Sequence, residues 1–421
     1  MAYVADLHTH SKYARACSKE LTIPNLSTWA KFKGIDLVGT GDALHPLWQQ
    51  ELKKDLKEAG NGIYRYNETK FLLTTEVACI YSEKGKQYRI HTLIFLPSLD
   101  SAFKLSEVLI KRGCNLSSDG RPILGLSSKE LCEIIFEVEP KSLIIPAHIW
   151  TPWFSLFGSN SGYDSLTDCF GEFSDQILAV ETGLSSEPAM NWRVGQLDDK
   201  SIVSFSDLHS LPRLGREATI FGGELSFDGL REALKDQNIV GTIEFFPEEG
   251  KYHYSGHRNC NIVYDPKQLK EKGEICPVCH RPLTIGVMQR VEDLASRDVK
   301  SLKLKVQNGI TTSEEFPKRP GFRLLVQLEE VLAEALDSTV SSKKVKGEYH
   351  RLVTTLDNEL KILTKTPLDL IAMAAGERVA EGIDRVRTGK VHIEPGYDNT
   401  YGIVKIWGED EARKEEQMGL F

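Results

Sequence analysis

The stretch Val4-Ala5-Asp6-Leu7-His8-Thr9-His10 decides how the rest of the chain is read. Residues 3–7 have the apolar character of a buried strand, and His8 and His10 stand where that strand gives way to loop. Side chains two apart on a strand share a face, so both imidazoles converge on one point, with Asp6 on the same face. Two converging imidazoles are half of a metal site, and the remaining ligands must come from further along.

The same grammar recurs through the first half. The apolar run 34–38 leads into Gly41-Asp42-Ala43-Leu44-His45, and the run 71–75 ends at Glu76. Residues 88–90 lead into His91, 142–146 into His148, 176–180 into Glu181, and 201–205 into Asp207 and His209. Helix-like segments, such as 102–112 and 128–136, lie between them. Alternating apolar strands and helices indicate a parallel sheet, and this many in one block suggests a barrel with its site at the carboxyl ends of the strands. Of the eleven histidines, six (His8, His10, His45, His91, His148, His209) fall at or beside these ends, interleaved with Glu76 and Asp207. Core packing is a poor explanation, because every buried imidazole needs hydrogen-bond partners. Imidazole and carboxylate suit zinc, manganese or iron, and the surplus of ligands calls for two or three divalent ions, expected as Zn2+, Mn2+ or Mg2+. Such sites suit phosphoester cleavage, one ion activating water and another stabilising the leaving oxygen. Glu181 is read either as an outer partner of a ligand or as structural, and the structural reading is favoured.

With 421 residues, the chain has room for more than one domain. It shows neither an apolar run long enough to span a bilayer nor a basic-then-apolar start, so a cytoplasmic, nucleoid-associated protein without a membrane partner is expected. A net charge of −8 leaves any nucleic-acid contact to local patches. Eight cysteines with no leader argue against a disulfide framework. Five of them are scattered, but Cys260, Cys276 and Cys279 cluster. His257-x2-Cys260 followed by Cys276-x2-Cys279 has the spacing of a closed structural Zn2+ site, with His253 and His280 competing to be the imidazole ligand. Such a site would fold a segment too small for a core of its own.

Two loops hold candidate DNA contacts. The aromatic run after His148 carries Trp150 and Trp153, which could stack on a base. Arg213 and Arg216 follow His209 and could grip phosphate, as could Arg15 beside the opening motif. Further on, 321–336, 349–363 and 368–387 carry helical periodicity, and Lys343-Lys344-Val345-Lys346 reads as a solvated loop. After a charged stretch from 408 comes Gln417-Met418-Gly419-Leu420-Phe421, which resembles the motif that binds the bacterial sliding clamp.

Asp6-x-His8-x-His10, Gly41-Asp42-x-x-His45, Thr75-Glu76, His91, Pro146-Ala-His148 and Ser206-Asp207-x-His209 resemble the successive motifs of the PHP (polymerase and histidinol phosphatase) superfamily. The resemblance implies a distorted (β/α)7 barrel over 1–240. It implies His8, His10, Glu76 and Asp207 around one ion, with Glu76 bridging to a second held by His91 and His148. A third would use His209 with His45 and Asp42. Usual members carry another histidine soon after the opening pair, where this chain has Lys12 and Arg15. Beyond the barrel, we expect a zinc-binding module over 241–290, a mainly helical DNA-binding domain over 291–407, and a tail over 408–421. That order, together with Gly256-His257-Arg-Asn-Cys260 and Glu394-Pro-Gly-Tyr397-Asp398, resembles the endonuclease Q branch. The branch implies an endonuclease that nicks 5′ to uracil, hypoxanthine, xanthine or an abasic site, with damaged DNA and a sliding clamp as partners. The rival expectations are a PHP phosphatase acting on a small phosphomonoester, a non-catalytic clamp-associated DNA-binding protein, and an exonuclease.

Overall fold

A computed structural model describes residues 2–408. The clamp-like residues Gln417, Met418, Leu420 and Phe421 lie outside the described residues. The fold is mixed α/β, built on one large curled sheet. Its opening strand, Ala2–Asp6, pairs in parallel with Leu37–Gly39, which pairs in parallel with the long strand Thr69–Glu83. From there the expected parallel pattern gives way. Thr69–Glu83 and Lys86–Leu96 form an antiparallel hairpin, and Leu143–Pro146 pairs antiparallel with the second arm. The opening strand meets Ala218–Gly222 antiparallel on its other side. Ala179–Glu181 and Ser201–Val203 form a separate parallel pair. The Thr219 hydroxyl links this pair to the rest, accepting from Ser204 N at 2.9 Å and donating to Ser204 O at 3.0 Å.

The hairpin explains why the strand-end rule missed two positions. Glu76 and His91 sit in mid-strand, with Glu76 opposite Leu93 and His91 opposite Ala78. A two-residue turn at Lys84-Gly85, both at positive φ, extends the two arms past the site instead of ending them at it.

Helices cover the outer face where sequence signals fix their ends. Ile23–Lys33 starts at Pro24 and stops at Gly34, whose φ of 84° closes the helix in the left-handed region. Ser128–Val138 begins with a reciprocal capping box between Ser127 and Glu130.

Beyond Glu244 the sheet continues. Gly321–Leu324 pairs in parallel with Ile239–Glu244, and Ile310–Ser313 and Leu304–Gln307 follow as antiparallel neighbours. Residues 304–324 therefore extend the first domain's sheet, and the helix read over 321–336 begins only at Leu328. Strand pairing overrides local periodicity there. The helical stretch 368–387 is two helices, Leu368–Ala375 and Glu377–Thr388, broken at Gly376 with φ of 90°. Lys343–Lys346 is no loop. It is the first turn of the helix Lys343–Thr355, capped by Ser342.

The helical part is seated against the helix Ile23–Lys33 by a buried ion pair, Lys33 Nζ to Glu359 Oε2 at 2.6 Å. Glu359 also accepts from the Tyr349 hydroxyl at 2.8 Å and from Leu328 N at 3.1 Å, and Trp29 stacks on Tyr349. No helix among the described residues is long and apolar enough to cross a membrane.

Candidate metal centre

Where the opening strand ends, Leu208 N donates to His8 O at 3.1 Å, bringing Asp207 alongside both histidines. Asp6, on the same face, is fully buried and holds that junction: it accepts from Ser206 N at 3.0 Å and from Gly215 N at 2.9 Å. Burial pushes its carboxyl up to about 6.

His8 Nε2 lies 3.3 Å from Glu76 Oε2 and 3.4 Å from Asp207 Oδ1. His10 Nε2 lies 3.3 Å from each of the same two oxygens. A tetrahedral ion with ligand bonds of about 2.0–2.1 Å has ligand–ligand edges of about 3.3–3.4 Å, so these spacings fit one. His8 Nε2, His10 Nε2 and Asp207 Oδ1 are buried without a hydrogen-bond partner. Orphans of this kind cost about 1–3 kcal/mol each, and three that converge mark the place of a cation. The other oxygen of Glu76 serves a second set. Oε1 lies 2.7 Å from His91 Nδ1 and 3.2 Å from His148 Nε2, and those two nitrogens are 3.2 Å apart. Glu76 is thus shared by two ligand sets, and its carboxylate is fully buried.

The rings are aimed from behind. His8 Nδ1 donates to Glu181 at 2.9 Å, and the same carboxylate accepts from His148 N at 2.7 Å. Glu181, read from sequence as structural, therefore orients a ligand in each set, the role outer carboxylates play in metal sites. Asp42 does the same for His10 at 3.1 Å, while Ser11 N and Oγ each donate to it at 2.6 Å. Asp42, expected among the ligands, instead positions one. Its expected companion His45 lies against Tyr13, ring centroids 4.5 Å apart, and joins neither set. His209 packs edge-on to His10 at 4.9 Å and bonds Asp207 O at 2.8 Å from its Nδ1. The third ligand group does not assemble among the described residues.

Without ions, the cluster's electrostatics are those of competing charges. Burial disfavours charge on His8, but Glu181, Glu76 and Asp207 outweigh it and raise its affinity for protons. Glu76 and Asp207 are held well below the usual carboxylate range: burial opposes this, and the surrounding imidazoles, joined at Glu76 by the Arg121 guanidinium, win. Asp42, His148 and Asp207 all have left-handed backbones, with φ of 48°, 30° and 47°. Such conformations cost about 1–3 kcal/mol each and persist where the surroundings demand a side-chain direction.

The proposed DNA contacts divide. Trp150 is buried, its indole N–H bonded to Asn191 Oδ1 at 2.8 Å, so it has no face to offer a base. Trp153 is 38% exposed, edge-on to Tyr252. Arg213 is spent on Gln327 and Glu330 of the helical part at 2.6 and 2.5 Å. Arg216 donates to Ser206 O at 2.9 Å and so fixes the Asp207 loop. Arg15 stays exposed near Asp119. Arg121, absent from the sequence reading, places Nη1 3.2 Å from Glu76 Oε2. The turn signal Asp119-Gly120-Arg121-Pro122 was visible, but nothing local says where that turn points. A cavity of about 1380 Å³, lined by Val4, Asp36, Lys70, Arg323 and Lys361 among others, touches none of the ligands.

In the cysteine module, His257 on the strand Ser255–His257, Cys260, Cys276 and Cys279 form one tight group. His257 Nδ1 lies 3.4 Å from Cys279 Sγ. The competing histidines are accounted for: buried His253 bonds Pro247 O at 3.1 Å, and exposed His280 closes the knuckle at φ of 58°. Burial opposes ionisation of Cys276, yet the N–H groups of Cys279 and Val278 and the His257 side chain bring its thiol down to about 6. That suits a metal-binding thiolate. Asp398, in the connection between the antiparallel strands His392–Glu394 and Ile403–Lys405, staples the module to that hairpin, accepting from Arg258 N at 2.7 Å and Thr284 Oγ1 at 2.6 Å.

A mixed α/β fold carrying two imidazole–carboxylate sets around a shared glutamate defines a metal-dependent hydrolase. Residues 327–390 match the family described as the MJ0043 C-terminal domain. The chain is 30% identical over 280 residues to the uncharacterised protein MJ0043 of Methanocaldococcus jannaschii; the match covers 64% of the chain and 33% of that protein's length. Over its whole length it is similar to the crystal structure of the lesion-specific endonuclease PfuEndoQ from Pyrococcus furiosus, with 32% identity, 99% of that chain covered and a TM-score of 0.82. An endonuclease Q solved with a 27-mer duplex bearing an abasic lesion at its active site gives 33% identity over 98% of each chain, again at 0.82. The chain belongs to the endonuclease Q family.

Proposed function

We propose that this protein is a DNA-repair endonuclease that hydrolyses the phosphodiester 5′ to a deaminated base (uracil, hypoxanthine or xanthine) or an abasic site, leaving 3′-hydroxyl and 5′-phosphate ends. The observation that carries this reading is the shared Glu76, whose two oxygens face separate ligand sets at a solvent-reaching rim where the Asp207 side chain is 24% exposed. Full-length likeness to an enzyme solved on abasic DNA supports a duplex as the substrate. His8, His10, Glu76 and Asp207 would hold one divalent ion, and Glu76, His91 and His148 a second. Such a pair, of Zn2+, Mn2+ or Mg2+, supplies activated water and charge stabilisation at the leaving oxygen. The chain's own residues fix the geometry: Glu181 and Asp42 hold the imidazoles in the tautomer that leaves Nε2 free, and Asp6 anchors the loop carrying Asp207. The lesion nucleotide would be turned out of the stack, at least cost where it is mispaired or baseless. Trp153, partly exposed and edge-on to Tyr252, could offer an aromatic face to fill the gap. In the module, His257, Cys260, Cys276 and Cys279 would hold a structural Zn2+. Gln417 to Phe421 would tether the enzyme to a sliding clamp, which a pull-down with and without those five residues tests.

The central test uses end-labelled duplexes with a single uracil, hypoxanthine, xanthine or abasic site, and an undamaged control, each with Mn2+, Mg2+ or Zn2+. Incision immediately 5′ to the lesion is expected. His8→Ala and Asp207→Ala should abolish it while leaving duplex binding intact. No incision with any metal, or wild-type incision by either variant, refutes the reading. A phosphatase would instead cleave a small phosphomonoester and ignore all five duplexes.

A further inference from the structure

Arg121 is held with unusual care for a loop side chain. Its own N–H donates to Asp119 Oδ1 at 3.2 Å, and that oxygen also accepts from Arg15 N at 3.0 Å. Gly120 N donates to Tyr13 O at 3.2 Å. A Cβ on Gly120 would stand 2.2 Å from Asp42 Oδ2, so only glycine lets this loop come so close to the carboxylate that orients His10. On the other side, Pro122 O accepts from Ala78 N at 3.0 Å, on the strand that carries Glu76. The loop is thus tied to the opening motif, to Asp42 and to the Glu76 strand at once.

The guanidinium that results lies between the ligand cluster and water, with Nη1 3.2 Å from Glu76 Oε2 and the side chain 28% exposed. Its neighbours are otherwise engaged: Lys12 pairs with Glu51 at 2.9 Å, and Arg216 holds the carbonyls of Ser206 and Asp207. Two dications held by the ligand sets would take over the neutralising of Glu76, leaving the solvent-facing guanidinium available to a further anion. A guanidinium also offers several donors in a planar fork matched to phosphate oxygens.

We propose that Arg121 is a catalytic residue that binds the phosphate of the bond being cut, donating to a non-bridging oxygen as negative charge builds on it. This rests on the endonuclease reading above. The step is a hydrolysis: the water oxygen bonds to phosphorus, the P–O3′ bond breaks, one water proton ends on the 3′ oxygen and the other is released. Arg121 stays protonated throughout.

The test compares wild type, Arg121→Ala and Arg121→Lys, all metal-loaded, on an abasic duplex under single-turnover conditions, with metal content measured alongside. Removing one such donor typically lowers the rate about 10²–10³-fold, which is expected of Arg121→Ala at unchanged metal content. Arg121→Lys should be intermediate, and free guanidinium should partly restore the alanine variant. In binding, wild type should prefer the natural linkage to a neutral methylphosphonate at the cut position, and Arg121→Ala should lose that preference. Normal incision by Arg121→Ala, or a loss of bound metal that accounts for its defect, overturns the assignment while the endonuclease reading stands. A wild type that incises no lesion overturns both.

Discussion

Glu181→Gln is a nearly isosteric change that tests whether one carboxylate organises both ligand sets. Two donors face Glu181, His8 Nδ1–H at 2.9 Å and His148 N–H at 2.7 Å, and a carboxylate can accept both. An amide offers one acceptor and one NH2. If its oxygen keeps His148, the NH2 faces His8 Nδ1 and favours the tautomer protonated at Nε2, the atom aimed at Glu76 and Asp207. A metal must then displace that proton. If the amide turns over, the NH2 meets the His148 N–H and a buried donor goes unpaired, at about 1–3 kcal/mol. Either way, metal affinity should fall by about 10–100-fold, the usual effect of losing an outer partner of a ligand histidine. The assay is calorimetric titration of metal-stripped protein with Mn2+, beside a melting curve showing that the apo fold survives. Wild-type affinity at both sites would refute the argument that Glu181 sets ring orientation, and would return it to the purely structural role its sequence position suggests.

Cys276→Ser should lower zinc content by one equivalent and expose the module around Tyr264 and Leu283 to protease, while the two histidine–carboxylate sets still bind metal; metal analysis with limited proteolysis checks this. Lys33→Met strands the Glu359 carboxylate in the interface between the helix Ile23–Lys33 and the C-terminal helices, and should cost about 3–5 kcal/mol in denaturant unfolding. Lys33→Met with Glu359→Gln should recover much of that. Glu217 and Glu244 are fully buried, and burial, with repulsion from neighbouring carboxylates, raises both above the usual carboxylate range. The folded state therefore keeps protons that the unfolded chain has released, and stability falls as pH rises through the window between the two values. Glu244→Gln should flatten that fall by up to about 1.4 kcal/mol per pH unit, read from melts at roughly pH 5 and pH 8.

The convergence of His8 and His10 with Glu76, His91, His148 and Asp207 was legible because metal chemistry accepts few residue types and strand periodicity fixes which of them share a face. The cysteine knuckles were legible for the same reason, their spacing being a local property of the chain. Tertiary structure alone assigned roles among side chains of identical chemistry. Asp42 and Asp207 both follow apolar strands, yet one bonds the back of His10 and the other faces its front. Trp150 and Trp153 are three residues apart, yet only the second reaches solvent. Arg121 and Glu181 came to the centre through backbone bonds to distant strands that no window of sequence contains. Composition and period pick out the candidate ligands because those constraints act within a few residues. Which group backs, bridges or faces the site depends on contacts between chain segments tens to hundreds of residues apart, and only the packed chain decides them.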